Sequence, residues 1–253
     1  MDIDYKGYLR DCELTVKYPQ VFDRFRSRRY YSGVVETMRS QKWGIEFTNI
    51  LKNDFPDLWK NIQTYISGDK IGGPNLVTYR GVTASPVTLR YVKVLGDLLN
   101  CFGSLDGLNV VEIGGGYGGQ CKVIQDHCKV KSYTLIDLEA PLRLADRWLS
   151  TNLVTNYTLQ IPEDLPDIEY DLVISNYAFT EFTGEYQRLY ADKVLKKCKR
   201  GFIICNFMYG EEKGVPIMNN LLDRKEYKVF PEIPETAYGN FVYTWNDGLD
   251  TRK

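Results

Sequence analysis

The chain has 253 residues, 43% hydrophobic and 26% charged; these globular values exclude disordered, collagen-like and membrane-spanning classes and leave room for one large domain or a core domain with an extension. Its 32 Lys and Arg stand against 33 Asp and Glu, a formal net charge of −1, so no general attraction to nucleic acid or anionic lipid is expected. The 19 tyrosines and the single histidine, His127, are the unusual features. The start, Met1-Asp-Ile-Asp-Tyr-Lys6, lacks the basic, apolar, small-residue order of a secretory signal, and no apolar run reaches the roughly 20 residues that span a bilayer. The six cysteines are dispersed without a CxxC pair, which predicts reduced, mostly buried thiols in a cytoplasmic protein and no zinc site.

From Arg28 to about Leu51 apolar residues recur at helical spacing, and Pro56 to Ile66, with Pro at its start and Gly68 beyond its end, predicts another helix. A polar, Gly-rich passage follows from Ser67 to Asn75. Ser85-Pro86 then supplies an N-cap and a first-turn proline for a helix to about Cys101, with Val87, Tyr91, Val94, Leu95 and Leu98 on one face. Beyond residue 105 strand and helix alternate. Strands are expected at 108–113, 132–137, 157–161, 170–175 and 201–206, and helices at 119–128, 141–153 and 185–199. Such alternation predicts a doubly wound α/β sheet of parallel strands. The tail, Lys228 to Pro234 and Asn240 to Trp245, reads as two further strands. The expected organisation is a helical extension, residues 1–104, and an α/β domain, residues 105–253.

In Val110-Val-Glu-Ile-Gly-Gly-Gly-Tyr-Gly-Gly-Gln120 a strand delivers an acid and then glycines into the start of a helix. Glycines permit positive φ and close backbone approach, and the helix start offers unpaired N–H groups. Gly114, Gly116 and Gly119 fit the dinucleotide fingerprint, whereas Glu112, Gly114, Gly116 and Gly118 fit the S-adenosylmethionine pattern. A turn that merely packs is the structural alternative. Glu112 favours the second pattern, because a carboxylate suits the ammonium of a methionine and repels a pyrophosphate. Asp137, at the end of the second strand, suits ribose hydroxyls in either case.

Three segments, Glu112-Ile-Gly-Gly-Gly-Tyr-Gly-Gly-Gln120, Ser175-Asn-Tyr-Ala-Phe-Thr-Glu181 and Ser85-Pro-Val-Thr-Leu-Arg-Tyr91, together resemble the sugar O-methyltransferases of the class I S-adenosylmethionine-dependent superfamily. The resemblance covers about Ile71 to Trp245. It implies a Rossmann-like, seven-stranded sheet whose last strand is antiparallel, and an N-terminal helical extension that carries a lid and acceptor-binding region. It also implies S-adenosyl-L-methionine as cofactor and methyl transfer to a sugar hydroxyl in glycan or polysaccharide biosynthesis. The partner is then a sugar or glycan acceptor, nucleotide- or lipid-linked in some settings, with no nucleic acid and no membrane insertion. Tyr79, Arg80 and Ser85 belong to the implied lid. Arg90 and Tyr91 are placed to close over the methionine carboxylate or to line the acceptor site.

The chemistry needs alignment of an acceptor oxygen and removal of its proton. His127 is the base by residue type, but it lies eight residues beyond Gly119, about 12 Å along a helix, and reads as a bystander. Ligands gather beyond the carboxyl ends of strands, which points to Asn176, Tyr177 and Glu181. Glu181 is expected as base or acceptor anchor, with stabilisation of a helix start as its structural alternative. Ser175 to Phe179 half-matches the Asn/Asp-Pro-Pro-Tyr motif of nucleobase methyltransferases, without either proline. Arg24 to Tyr31 interleaves basic and aromatic residues and is read as a solvated helix face rather than a grip on an anionic carrier. The Lys193 to Arg200 cluster reads as a cationic helix end. No compact carboxylate cluster suggests a metal. An NAD-dependent oxidoreductase and a non-catalytic scaffold of glycan assembly are the competing functions.

Overall fold

The computed structural model describes residues 4–206 and 214–247, and the chain divides into two units, each assembled from several stretches. The first comprises the chain up to Gly103, then Gly115–Cys128 and Leu138–Thr155. It contains α1 (Tyr5–Lys17), α2 (Pro19–Phe22), α3 (Arg29–Val34), α4 (Gln41–Asp54), α5 (Pro56–Lys60), α6 (Ile62–Tyr65), β1 (Val77–Tyr79), β2 (Val82–Ala84), α7 (Pro86–Phe102), α8 (Gly119–His127) and α9 (Glu139–Thr151). The single helix expected from Arg28 to Leu51 is two, α3 and α4. The interruption turns Glu36 into the interior, where it is almost fully buried.

The segment carrying Tyr79 and Arg80, expected as a lid loop, is an antiparallel hairpin of β1 and β2. Arg80 and Gly81 form its two-residue tip with φ of 49° and 81°, the left-handed pair that matches strand twist in tight hairpins. Ser85 caps α7 as expected, its Oγ accepting from Val87 N at 3.2 Å, and Pro86 takes the first turn. α7 packs on α4 and α8, and α1 packs on α9.

The second unit comprises Ser104–Gly114, Lys129–Asp137 and the chain from Asn156 onward. Its strands are β3 (Asn109–Ile113), β4 (Ser132–Ile136), β5 (Thr158–Gln160), β6 (Leu172–Asn176), β7 (Arg200–Cys205), β8 (Lys228–Pro231) and β9 (Phe241–Asn246). They form one seven-stranded sheet in the order β5-β4-β3-β6-β7-β9-β8. β3 to β7 pair in parallel, and β9 is antiparallel to both its neighbours. This is the expected Rossmann-like α/β sheet with its final strand reversed. Strand order turns back between β3 and β6, the switch point where open α/β sheets bind ligands.

Three helices complete the unit: α10 (Ala178–Glu181), α11 (Gly184–Lys193) and α12 (Val215–Leu222). The helix expected to reach Lys199 stops at Lys193, and a 3-10 turn at Leu195–Lys197 follows. On one sheet face Val111, Ile113, Val173, Ile203, Tyr243 and Trp245 form a core with Tyr190, Val194, Met218 and Leu222. Alternation sends Val110, Glu112, Tyr133 and Ile174 to the other face, where they too are buried. Burial on both faces explains the near-continuous apolar strand sequences. All six cysteines are free thiols, five of them buried, and burial pushes the Cys198 thiol up to about 12.

Candidate functional site

In the second unit, the carboxyl ends of β3, β4 and β6 carry the residues singled out by sequence. Glu112 is 2% exposed, and its Oε2 accepts from the Tyr133 hydroxyl at 2.9 Å. A buried carboxylate is costly without donors or a cation nearby, and Tyr133 supplies one donor. Gly114 follows the strand, its N–H donating to Ile136 O at 2.8 Å. Its φ is 77°, and a Cβ there would overlap the Ala178 Cβ, so this position admits only glycine. Asp137 comes directly after β4, partly exposed, with its N–H on Gln160 O at 3.4 Å. Ile113 and Ile136 are paired, so Glu112 and Asp137 stand at the same end of neighbouring strands.

Asn176 is the last residue of β6, and Tyr177 follows with φ 72°. A bulky residue enters that region at a cost of roughly 1–3 kcal/mol and does so mainly at functional sites. The Tyr177 N–H is tied to Ile204 O at 3.0 Å, and its phenol donates to Glu232 Oε1. Glu232, 5% exposed, receives three further donors on Oε2: Thr236 N at 3.0 Å, Thr236 Oγ1 at 2.7 Å and Asn240 Nδ2 at 2.9 Å. Sequence reasoning missed this group, because Glu232 and Asn240 lie in the β8–β9 connection with no local motif. Glu181 ends α10 and accepts from Asn206 Nδ2 at 2.7 Å.

The first unit holds the rest of the glycine turn. Gly116 and Gly118 have φ of 55° and 85°. A Cβ on Gly118 would lie 2.8 Å from Leu149, whereas one on Gly116 would meet nothing nearer than Val35 at 3.8 Å. Between them Tyr117 is buried, edge-on to Trp148 at 4.7 Å and to Phe25 at 5.8 Å. The Arg26 guanidinium lies over its ring. Burial raises the Tyr117 phenol well above its ordinary value, against the opposing charge of Arg26.

Arg26 is fully buried. Its Nε bonds Glu36 Oε1 at 2.5 Å, one terminal nitrogen bonds Asp69 Oδ1 at 2.8 Å, and the other reaches Ser85 Oγ at 3.1 Å and Thr88 Oγ1 at 3.3 Å. Burial alone would lower its pKa, but Glu36, Tyr117 and Asp69 more than offset that and hold it above the ordinary value. The reading of Arg24 to Tyr31 as a solvated face is corrected accordingly: Phe25, Arg26 and Tyr31 all point inward, and Arg28 pairs with Asp11 at 2.6 Å. The partners of Arg26 sit 10 to 62 positions away in sequence, which is why no local pattern reveals the cluster.

Of the remaining candidates, Ser85 is fully buried within this cluster. Arg90 and Tyr91 are buried on α7, the guanidinium 5.1 Å from the Tyr91 ring centroid. Tyr79 and Arg80 sit at the hairpin tip, where Arg80 Nε donates to the Tyr79 hydroxyl at 3.1 Å and lowers the pKa of that phenol. His127 ends α8, with Nδ1 2.8 Å from the Tyr65 hydroxyl. Among the described residues no group of three His, Cys, Asp or Glu could hold a metal ion, and no helix is long and apolar enough to cross a membrane.

No family model and no curated protein matches the chain. Solved structures resemble parts of it. A SAM-dependent methyltransferase from Aquifex aeolicus is 18% identical with a TM-score of 0.43, covering 58% of this chain and 85% of that one. An rRNA methylase from Streptococcus thermophilus is 15% identical with a TM-score of 0.43, covering 55% and 87%. A protein from Thermoplasma acidophilum is 16% identical with a TM-score of 0.45, covering 64% and 91%. Function has to be argued from the residues of the site, since a shared fold hosts many chemistries.

Proposed function

We propose that the chain is an S-adenosylmethionine-dependent methyltransferase acting on a sugar hydroxyl in glycan or polysaccharide building. One observation carries the reading: the buried carboxylate of Glu112 directly precedes a turn in which Gly114, Gly116 and Gly118 all take positive φ before α8. This donor set fits an ammonium and repels a pyrophosphate, which favours the methyl donor over the NAD-dependent alternative. The positive φ at Gly116, 55°, is a backbone conformation that glycine adopts without strain and that allows close backbone approach to a bound molecule. In this reading, within the second unit, Asp137 accepts hydrogen bonds from ribose hydroxyls, Asn176 completes the cofactor set and Tyr177 serves the acceptor.

The cofactor, when bound, supplies a methyl group on a sulfonium, already activated for transfer. The protein then aligns the acceptor hydroxyl and manages its proton. Glu181, one helical turn beyond Tyr177, anchors that hydroxyl or takes its proton, and Asn176 and Tyr177 orient it.

Calorimetry with S-adenosylhomocysteine and with NAD tests the cofactor, and transfer of a radiolabelled methyl group to nucleotide sugars, oligosaccharides and RNA tests the acceptor. Heat with S-adenosylhomocysteine and label in a sugar are expected. Heat with NAD alone overturns the cofactor assignment, and label in RNA overturns the sugar. Binding without transfer to any of these acceptors favours the scaffold.

A further inference from the structure

We propose that Tyr238 is a stacking platform for a neighbouring sugar ring of the acceptor, so that the acceptor is an oligosaccharide chain rather than a lone sugar. The inference deepens the methyl-transfer reading and rests on it for the sugar at the reacting position. Tyr238 lies in the β8–β9 connection of the second unit and is fully exposed, and Ile233 of the same connection is 59% exposed. The connection reaches the carboxyl end of the sheet because Pro231 pairs with Phe241 and Phe241 pairs with Cys205, the last residue of β7. There Glu232 bonds Tyr177, which follows β6 at the switch point. Thr236 Oγ1 lies 3.4 Å from the Tyr177 phenol oxygen, and two residues of chain keep the Tyr238 Cα within about 7 Å of the Thr236 Cα. Tyr238 therefore stands a short step from the candidate acceptor position.

The connection holds this ring in place without covering it. Glu232 Oε2 accepts from the Thr236 N–H at 3.0 Å and from Asn240 Nδ2 at 2.9 Å, the Asn240 N–H donates to Ala237 O at 3.2 Å, and the Gly239 N–H donates to Glu235 Oε1 at 2.8 Å. These bonds bracket Tyr238 on both sides, so little backbone freedom is left to lose on binding. A ring bared on a pinned turn leaves an apolar face in water, and its surroundings select what covers it. Val229 to Asn246 has no Lys or Arg and two carboxylates, Glu232 and Glu235, a balance that repels nucleic acid and anionic lipid. Ile233 and Tyr238 together expose far less than the roughly 800 Å² per partner of a stable protein interface. A sugar ring fits both limits. Its C–H face is neutral and about the size of one aromatic ring, and the phenol hydroxyl reaches polar groups at its rim.

The test uses the full chain labelled at tyrosine ¹³Cε, with S-adenosylhomocysteine present and the Tyr238 resonance assigned by its loss in Y238F. The probes are cellohexaose, maltohexaose and xylohexaose, each beside its single-ring methyl glycoside. At least one hexasaccharide is expected to shift the Tyr238 resonance saturably, and at least tenfold more tightly than its single-ring control. By calorimetry that affinity should fall about tenfold in Y238A and Y238L and stay within about threefold in Y238F and Y238W, since stacking needs a ring and not merely apolar area. Equal melting temperatures check that these exposed-site variants fold alike. No response to any hexasaccharide, an equal response to the single rings, or full affinity in Y238A or Y238L would overturn the proposal. A dimer in sedimentation that Y238A dissociates would overturn it too, by making a second copy the occupant. Lack of heat with S-adenosylhomocysteine sinks the methyl-donor reading alone, whereas heat without a Tyr238 response sinks this inference alone.

Discussion

The Arg26 guanidinium lies 4.8 Å from the centroid of the Tyr117 ring, so a residue far upstream braces the one side chain set among the glycines of the turn. Glu36 and Asp69 hold that guanidinium in turn. The buried ion group thereby helps to set the shape of the candidate cofactor loop.

Arg26→Met should therefore be among the most damaging single changes. It leaves Glu36 and Asp69 buried without their cation, which costs about 3–5 kcal/mol in comparable sites. Urea unfolding should show that loss, and adding Glu36→Gln and Asp69→Asn should recover most of it. A loss below about 1 kcal/mol would mean that the two carboxylates are satisfied without Arg26.

Gly114→Ala meets two obstacles, a φ of 77° and the Ala178 Cβ. Stability should fall by about 1–3 kcal/mol and affinity for S-adenosylhomocysteine by tenfold or more. Adding Ala178→Gly relieves the overlap but not the backbone strain, so calorimetry should show partial recovery only.

Glu112→Gln keeps an oxygen to accept from Tyr133 and removes the charge. The melting temperature should change little, while affinity for S-adenosylhomocysteine falls about tenfold, equivalent to about 1.4 kcal/mol. Unchanged affinity would remove Glu112 from the cofactor set.

Glu181→Gln should reduce methyl transfer about 100-fold or more if the carboxylate takes the proton. Affinity for S-adenosylhomocysteine should hold at the wild-type value. Full turnover in this variant would leave Glu181 a purely structural partner of Asn206.

Asp171 gives a pH-dependent check on the sheet. The Asn109 N–H hydrogen bond, at 3.0 Å, outweighs a small effect of burial and, with Lys199, holds the Asp171 carboxyl below its ordinary 3.8. A depressed folded-state value stabilises the protein above the unfolded value, and that contribution is lost as pH falls through the folded one. Asp171→Asn should cost about 0.5 kcal/mol or less at pH 7, discounted for exposure to solvent. The gap should close below pH 3.8 in urea titrations.

The sheet was legible because its strands are short β-branched runs separated by helix-length segments, and α7 because Ser85-Pro86 marks a helix start. Glu112 and the glycines were legible because their function needs contiguous residues. Arg26 was not: its charge is neutralised by Glu36 and Asp69, which only folding brings near. Tyr177 was visible from its position after β6, but its partner Glu232 is 55 positions away, and no periodicity links them. The hairpin tip at Arg80-Gly81 was missed because its strands are only three residues long.

The two edges of the sheet carry one last consequence. β5 is three residues long, and β8 is four, opening on exposed Lys228 and closing on Pro231, which has no N–H to offer. Long, flat, apolar edges recruit strands from other molecules, whereas short ones bearing lysine and proline do not. The strands that carry the candidate site, β3 and β6, lie inside the sheet with a neighbour on each side. Short edges of this kind disfavour edge-to-edge pairing, and at β8 the lysine and the proline add to that effect.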